Sequence, residues 1–262
     1  MFIHEISREI ATFGGLTLRW YGLMFVIGLL LNYFYTVWIF KREKYPVEHF
    51  ETAAIFLFIG MVVGARLGHV FFYEAGFYLS HPIEIFKIWN GGLASHGAAI
   101  GLLVFYLLWL KFQKVEFSKY VDVLVLGMPI TAGFVRIGNF LNSEIIGRPT
   151  DGTWGVVFTK LGEDFPRYPS QFYEAGLSFT IFFILFFVYI KYYKKLPKLF
   201  ILFLYVLLYF STRFIVEFWK EREFTPYGSS LSMGQFLSIL PVLIAVSYFI
   251  YIAVSKKARK AR

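Results

Sequence analysis

The chain has no cysteine among its 262 residues, which excludes disulfides, thiolate metal ligands and a cysteine nucleophile of its own. Any thiol in its chemistry must therefore arrive with a substrate. Charge is scarce too: 16% of residues are charged against 58% hydrophobic, and the mean hydropathy of +0.60 lies far outside the range of soluble domains. No histidine, aspartate or glutamate grouping has metal-ligand spacing, and no glycine loop of the nucleotide-binding kind appears. No period of about 20 to 50 residues recurs, and the two halves lack the matching pair of broken apolar segments that marks a repeat-built transporter. Neither a metal nor an organic cofactor is called for.

What the chain does have is long apolar runs. Windows of the length needed to cross a hydrocarbon core of about 30 Å fall near 17–40, 50–73, 93–112, 120–141, 172–192, 199–218 and 233–254. The expected fold is an all-α integral membrane protein of seven transmembrane helices forming one domain over residues 1–262. The net charge of +9 does not point to nucleic acid, because the basic residues mark topology. Lys41, Arg42 and Lys44 follow the first span, Lys111, Lys114 and Lys119 the third, Lys191, Lys194, Lys195 and Lys198 the fifth, and five more follow the seventh. By the positive-inside rule that face is cytoplasmic, which puts the amino terminus outside and the carboxyl terminus inside. The first sixteen residues, with Glu5, Arg8 and Glu9, lack the pattern of a removable signal peptide, so the first span is expected to stay.

Within the second span Gly60, Gly64 and Gly68 form a small-residue stripe at spacing four, suited to close helix packing in lipid. Trp20, Tyr73, Trp89 and Trp219 fall at outer boundaries, as an aromatic belt would. Residues 74–92 form an interfacial loop in which Pro82 precedes Ile83, Ile85, Phe86, Ile88 and Trp89, a pattern for a short helix lying in the interface. Residues 142–171 are polar, contain the β-prone run Val156, Val157, Phe158, and are expected to form a small ordered extracytoplasmic cap.

Polar groups inside the spans gather in the outer half. Tyr21 and His96 begin spans that run inward. Arg66, Arg136 and Arg213 lie late in spans that run outward, followed by Asn139, Asn142, Glu144 and Glu217. An arginine at the centre of an inserting helix costs roughly 2.5–3.5 kcal/mol, so each needs a reason. Tyr209, Arg213 and Glu217 are four apart and share one helix face, where the arginine can pair with the carboxylate and the phenol. Two or three arginines in one outer pocket would leave cationic charge in excess of Glu144 and Glu217, and an anionic ligand would balance it. The guanidinium fork matches phosphate oxygens, and membrane headgroups supply phosphate. A lone histidine is more often structural, but His96 beside such a pocket is a candidate for proton transfer near neutral pH. His4, His49, His69 and His81 lack that context.

The order and spacing of several blocks resemble bacterial prolipoprotein diacylglyceryl transferase. These are RWYGLMFVIG from Arg19, GARLGHVFFY from Gly64, WNGGLASHG from Trp89, RIGNFLNSEIIGR from Arg136, RYPSQFYEA from Arg167, RFIVEFWKERE from Arg213 and SMGQFLSI from Ser232. The central block is similar to the family signature, with Ser143 where glycine is usual. Ala98 stands where a second glycine is frequent and Tyr168 where histidine is common.

The resemblance implies a seven-span enzyme of the bacterial inner membrane with an outer cap. Such an enzyme moves the diacylglyceryl group of phosphatidylglycerol onto the lipobox cysteine of a prolipoprotein signal peptide, forming a thioether and releasing glycerol phosphate. Carried over to matching positions, the functional residues would be Tyr21, His96, Arg136, Asn139, Glu144, Gly147, Tyr209, Arg213 and Glu217. Arg136 and Arg213 would grip the lipid phosphate, Glu217 would hold Arg213, His96 or Tyr21 would take the thiol proton, and Asn142 would act with Asn139 and Glu144 on the headgroup or on Arg136. Two other classes compete. A channel or transporter for an anionic solute needs polar groups in both leaflets, which the inner halves do not supply. A non-catalytic lipid-binding scaffold leaves His96 and Tyr21 without work.

Overall fold

A computed structural model describes residues 1–14, 16–88, 91–221 and 230–260. Trp89 of the expected aromatic belt and Arg222 lie outside the described residues. The fold is mostly helical: α1 Trp20–Arg42, α2 Val47–Phe72, α3 Ala75–Ser80, α4 Ser95–Gln113, α5 Val121–Leu124, α6 Met128–Leu141, α7 Ser170–Tyr192, α8 Phe200–Val216 and α9 Met233–Lys260. Six helical stretches are long and apolar enough to cross a membrane: Trp20–Arg42, Val47–Phe72, His96–Gln113, Val121–Leu141, Ser170–Lys195 and Met233–Ser255. The protein is thus a multi-pass membrane protein. The remaining apolar helix, Phe200–Val216, has 17 residues, at the short end of the length that spans a bilayer.

The described chain divides into two compact units, residues 37–120 and residues 1–36 with 121–262. In the first unit α2 and α4 meet along the glycine stripe. A Cβ built on Gly64 would meet the carbonyl of Gly97 at 2.4 Å, and one on Gly101 would meet the carbonyl of Gly60 at 2.0 Å. The stripe of α2 thus has a counterpart in Gly97 and Gly101 of α4, and backbone rests on backbone as small residues permit in lipid. After α2 the chain forms α3 and a 3-10 turn at Pro82–Phe86, the short helical structure expected of that loop, though split in two.

In the second unit the span containing α5 and α6 is the most enclosed. Of its apolar window 56% is buried, against 28% or less for the other candidate spans. Gly133 takes the ring of Phe179 from α7 where a Cβ would stand, and Gly138 takes Tyr21 and Met24 from α1. Asn32 of α1 donates to Thr131 Oγ1 at 3.2 Å, and Thr131 donates to the Gly28 carbonyl. At the other end of this span Asp122 accepts the amides of Leu199 and Leu202, both at 2.8 Å. Orphan amides at the start of α8 are thereby satisfied, and a buried carboxylate gains partners.

Beside the helices lies a small β-containing region. β1 Phe2–His4 pairs in parallel with β4 Val156–Phe158, and β2 Glu9–Phe13 forms an antiparallel hairpin with β3 Leu16–Arg19. The run Val156–Phe158 is therefore a strand, completed by an N-terminal strand whose three residues carry no detectable sequence signal. Phe140, Val156 and Phe158 form its core with Leu141 and Ile146. The His4 ring is fully buried there, 4.8 Å from Phe140 and 5.3 Å from Phe158 between centroids.

Two outcomes follow. Gly101→Ala should lower the melting temperature of the detergent-solubilised protein, corresponding to about 1–3 kcal/mol of overpacking. Gly176→Ala, where a Cβ meets nothing within 4 Å, should leave it unchanged. Burial holds the His4 imidazole below its ordinary value, so the folded state keeps it neutral. Above about pH 6.5, where an unfolded histidine is also neutral, that preference costs nothing. As the pH falls below it the unfolded chain takes up a proton that the folded one resists, and stability drops. Thermal melts from pH 7.5 to 5 should show this loss, and His4→Phe should remove the part due to this group.

Candidate active site

Arg136 sits on the last turns of α6, the helix walled on two sides by α1 and α7. Its Nε lies 3.2 Å from Glu174 Oε2 of α7, an ion pair without hydrogen-bond geometry. Its Nη1 donates to Asn139 Oδ1 at 3.4 Å. Glu174 is buried and also pairs with Lys220 Nζ at 3.5 Å, and Lys220 donates to Glu217 Oε1 at 2.9 Å. The Ser232 hydroxyl donates to the other oxygen of Glu217 at 2.7 Å. A charged chain thus runs from Arg136 through Glu174 and Lys220 to Glu217.

Ser232 holds its end of the chain because it is also the N-cap of α9. Its Oγ accepts the amide of Gln235 at 3.1 Å, and Gln235 Oε1 accepts the amide of Ser232 at 3.0 Å. This is a reciprocal capping box, written in the sequence as S-x-x-Q. Gly234 leaves room for the carboxylate: a Cβ there would lie 2.3 Å from Glu217 Oε1.

Arg213 of α8 behaves differently from the expected helix-face pair. Glu217 is only its electrostatic neighbour, and the guanidinium makes no hydrogen bond or ion pair among the described residues. The reason is local: Glu217 caps α8, where the chain turns, and its oxygens are taken by Lys220 and Ser232. A cleft with about 270 Å³ of empty space, part of it open to the surroundings, is lined by Arg136, Glu174, Ser178, Tyr209, Thr212 and Arg213 with Leu177 and Val216. Arg136 and Arg213, from separate helices, therefore face one cavity. With Lys220 the set holds three cations against the two carboxylates Glu174 and Glu217.

The signature segment leaves α6 through a tight turn. Ser143 and Ile145 both have left-handed backbones, with φ of 55° and 53°. Each such turn costs a residue with a side chain roughly 1–2 kcal/mol, which is why glycine suits the first of them. Asn142 Nδ2 donates to Glu144 Oε1 at 3.2 Å, and the Asn142 carbonyl oxygen Oδ1 is buried without a donor among the described residues. Ser170 donates to the Ile145 carbonyl and Gln171 Nε2 to that of Glu144. Gly147 is packed between backbones, since a Cβ there would meet the Tyr168 carbonyl at 2.1 Å and that of Trp219 at 2.9 Å. Arg167 clasps the same region, binding Glu163 at 2.6 Å, Glu221 at 2.8 Å and the Gly147 carbonyl at 3.1 Å. Tyr21 packs beside Gly138 and lies in the electrostatic field of Glu144 and Arg136.

Two expectations need correction. Arg66 is no spare cation of this pocket: it is buried in the unit of residues 37–120, where its guanidinium donates to the carbonyls of Glu84, Ile85, Gly91 and Gly92 and lies over the Tyr78 ring. It ties down the loop that follows α3. The Arg213–Glu217 pair gives way to Lys220–Glu217. His96 stands in that same unit of residues 37–120, exposed in the first turn of α4, and its side chain makes no hydrogen bond among the described residues. Sequence reasoning missed Glu174, Lys220 and Ser232. Glu174 lies in the quoted RYPSQFYEA block, and Ser232 opens a capping box, so both were open to notice; Lys220 offered no pattern.

A model of the prolipoprotein diacylglyceryl transferase family matches residues 8–251. The chain belongs to this family. It is 40% identical to the phosphatidylglycerol–prolipoprotein diacylglyceryl transferase of Tolumonas auensis, with 94% of this chain and 95% of that protein covered. It is 38% identical to the one from Chloroherpeton thalassium, covering 92% and 91%. The protein of the same name from Bacteroides fragilis is 37% identical, with 97% and 96% covered.

Removing one partner of a buried ion pair strands the other charge. Glu174→Gln should therefore destabilise the solubilised protein by about 2–3 kcal/mol in thermal melts. Glu163→Gln, at the edge of the Arg167 clasp where Glu221 remains, should cost less than half as much.

Proposed function

We propose that the protein transfers the diacylglyceryl group of phosphatidylglycerol to the lipobox cysteine of prolipoprotein signal peptides. The observation that carries this reading is the shared cleft of Arg136 and Arg213, in which Arg213 has no ion-paired carboxylate among the described residues while Arg136 is held by Glu174. One uncompensated cation in a lipid-embedded cleft suits a singly charged phosphodiester. Family membership supplies the reaction.

In the proposed step the cysteine sulfur attacks the glycerol carbon of the diacylglyceryl group. A carbon–sulfur bond forms, the carbon–oxygen bond to phosphate breaks, and glycerol phosphate leaves with the bonding electrons. Arg136 and Arg213 bind the phosphate and stabilise the charge that grows on it, which is electrostatic catalysis by preorganised donors. Glu174 and Asn139 orient Arg136. Asn142 Oδ1, without a donor among the described residues, accepts a headgroup hydroxyl, with Glu144 beside it. Tyr209 lines the cleft wall, Glu217 with Lys220 sets its charge, and Gly147 gives the backbone room to turn. The thiol proton passes to His96 or Tyr21, because the thiolate is the nucleophile and a free thiol with pKa about 8.5 is mostly protonated at neutral pH. We place Phe200–Val216 across the membrane as a seventh span of a single domain, residues 142–171 as an extracytoplasmic cap and residues 74–92 as an interfacial loop. The amino terminus is outside and the carboxyl terminus in the cytoplasm of the bacterial inner membrane, as the basic loops require.

The test uses vesicles of phosphatidylglycerol and a lipobox peptide, with the thioether product read by mass spectrometry. Arg136→Ala and Arg213→Ala should each lower turnover roughly 10²–10³-fold while still inserting, and near-normal turnover in both would refute the assignment. His96→Gln should reduce the rate most at neutral pH and less as the pH approaches about 8.5 and the thiol ionises unaided. An equal loss at every pH would transfer the proton acceptor role to Tyr21.

A further inference from the structure

Behind the signature turn lies a group with no part in the proposed reaction. His4, on the N-terminal strand, is fully buried. Its ring is wedged between Phe140 and Phe158, its backbone carbonyl accepts the Thr159 hydroxyl at 3.1 Å, and strand pairing sets it opposite Phe158. The ring Nδ1 lies 3.3 Å from Ser143 Oγ, and Nε2 has no partner among the described residues. Among the described residues the ring has one side-chain hydrogen-bond partner, and it is the residue forced into a left-handed backbone between Asn142 and Glu144.

We infer that His4 is a positioning residue: through Ser143 it holds the turn that fixes Asn142 and Glu144 toward the lipid headgroup. The inference rests on the reading of those two residues as substrate-binding. Glycine takes up a left-handed backbone without a Cβ penalty, whereas serine does not. A serine at this position needs something to hold it there, and the hydrogen bond to His4 supplies that hold. The hydroxyl is held by a ring that cannot turn, because Phe140 and Phe158 flank it. The three N-terminal residues of β1 thereby reach the substrate loop, 139 positions away in sequence, and the pairing of β1 with β4 acquires a purpose beyond closing a two-stranded sheet.

Among the described residues Ser143 is the one side chain that hydrogen-bonds the ring, which distinguishes it from mere core packing. Four variants of the full-length protein are compared in the transfer assay: His4→Phe, which keeps the aromatic volume, Ser143→Ala, Ser143→Gly, and His4→Phe combined with Ser143→Gly. His4→Phe and Ser143→Ala should each lower turnover roughly tenfold, the scale of a small displacement of binding groups. Ser143→Gly should stay within about twofold of the parent, because a glycine turn needs no external hold, and His4→Phe should cost nothing further in that background. Turnover lost equally by His4→Phe with either residue at 143 would reduce His4 to core packing and overturn the inference, as would normal turnover of Ser143→Ala. If His4→Phe fails to insert, Ser143→Ala against Ser143→Gly carries the same comparison. Should the parent protein itself show no transfer, the proposed reaction falls; melting temperatures of the same variants then decide whether the His4–Ser143 link holds the turn.

Discussion

A guanidinium on a helix surrounded by lipid has to be enclosed and paired, and the arrangement of the larger unit follows from meeting that need for Arg136. The helix that carries it is the most buried of the spans, flanked by α1 and α7 at points where Gly138 and Gly133 permit close approach. Glu174 supplies the counter-charge from α7, and Asn139 adds a hydrogen bond one turn on. The cost of burying such a charge is offset only when its donors are met. Enclosure also determines what is left over. With Glu174 and Glu217 engaged by Arg136 and Lys220, Arg213 faces the cleft with its donors free of any described protein partner.

Arg66 gives the contrast that clarifies Arg136. Both are arginines late in an apolar span, yet Arg66 spends its donors on five backbone carbonyls of the loop after α3, and nothing remains for a ligand. A carbonyl carries only partial charge, so this site is a structural anchor that does not call for an anion. Position along the span does not separate the two; the acceptors around each do.

Much of this was legible in residue order. The apolar windows locate the helices, the stripe Gly60, Gly64, Gly68 announces a tight crossing, and Val156–Phe158 reads as a strand. That Arg136 and Arg213 face one cleft could be drawn from depth alone. What escaped depends on partners distant in sequence. Gly97 and Gly101 matter only because α4 is the helix that meets α2. β1 is three residues long and acquires its role from pairing with β4. The Arg213–Glu217 spacing suggested a helical pair, but Glu217 caps α8 at a turn, and Lys220, three residues on, competes for it more closely. Local spacing cannot report which of two cations a carboxylate will choose.

The capping box at Ser232 links secondary structure to charge. Its hydroxyl has a single proton, committed to Glu217, while its oxygen receives the first turn of α9 through Gln235. Fraying of that turn would therefore loosen a carboxylate standing in the field of Arg213. Because Arg213 has no ion-pair partner among the described residues, a loosened Glu217 would compete with an incoming anion for it. Winding of the last helix thus bears on the orientation of Glu217 through a hydroxyl and an amide.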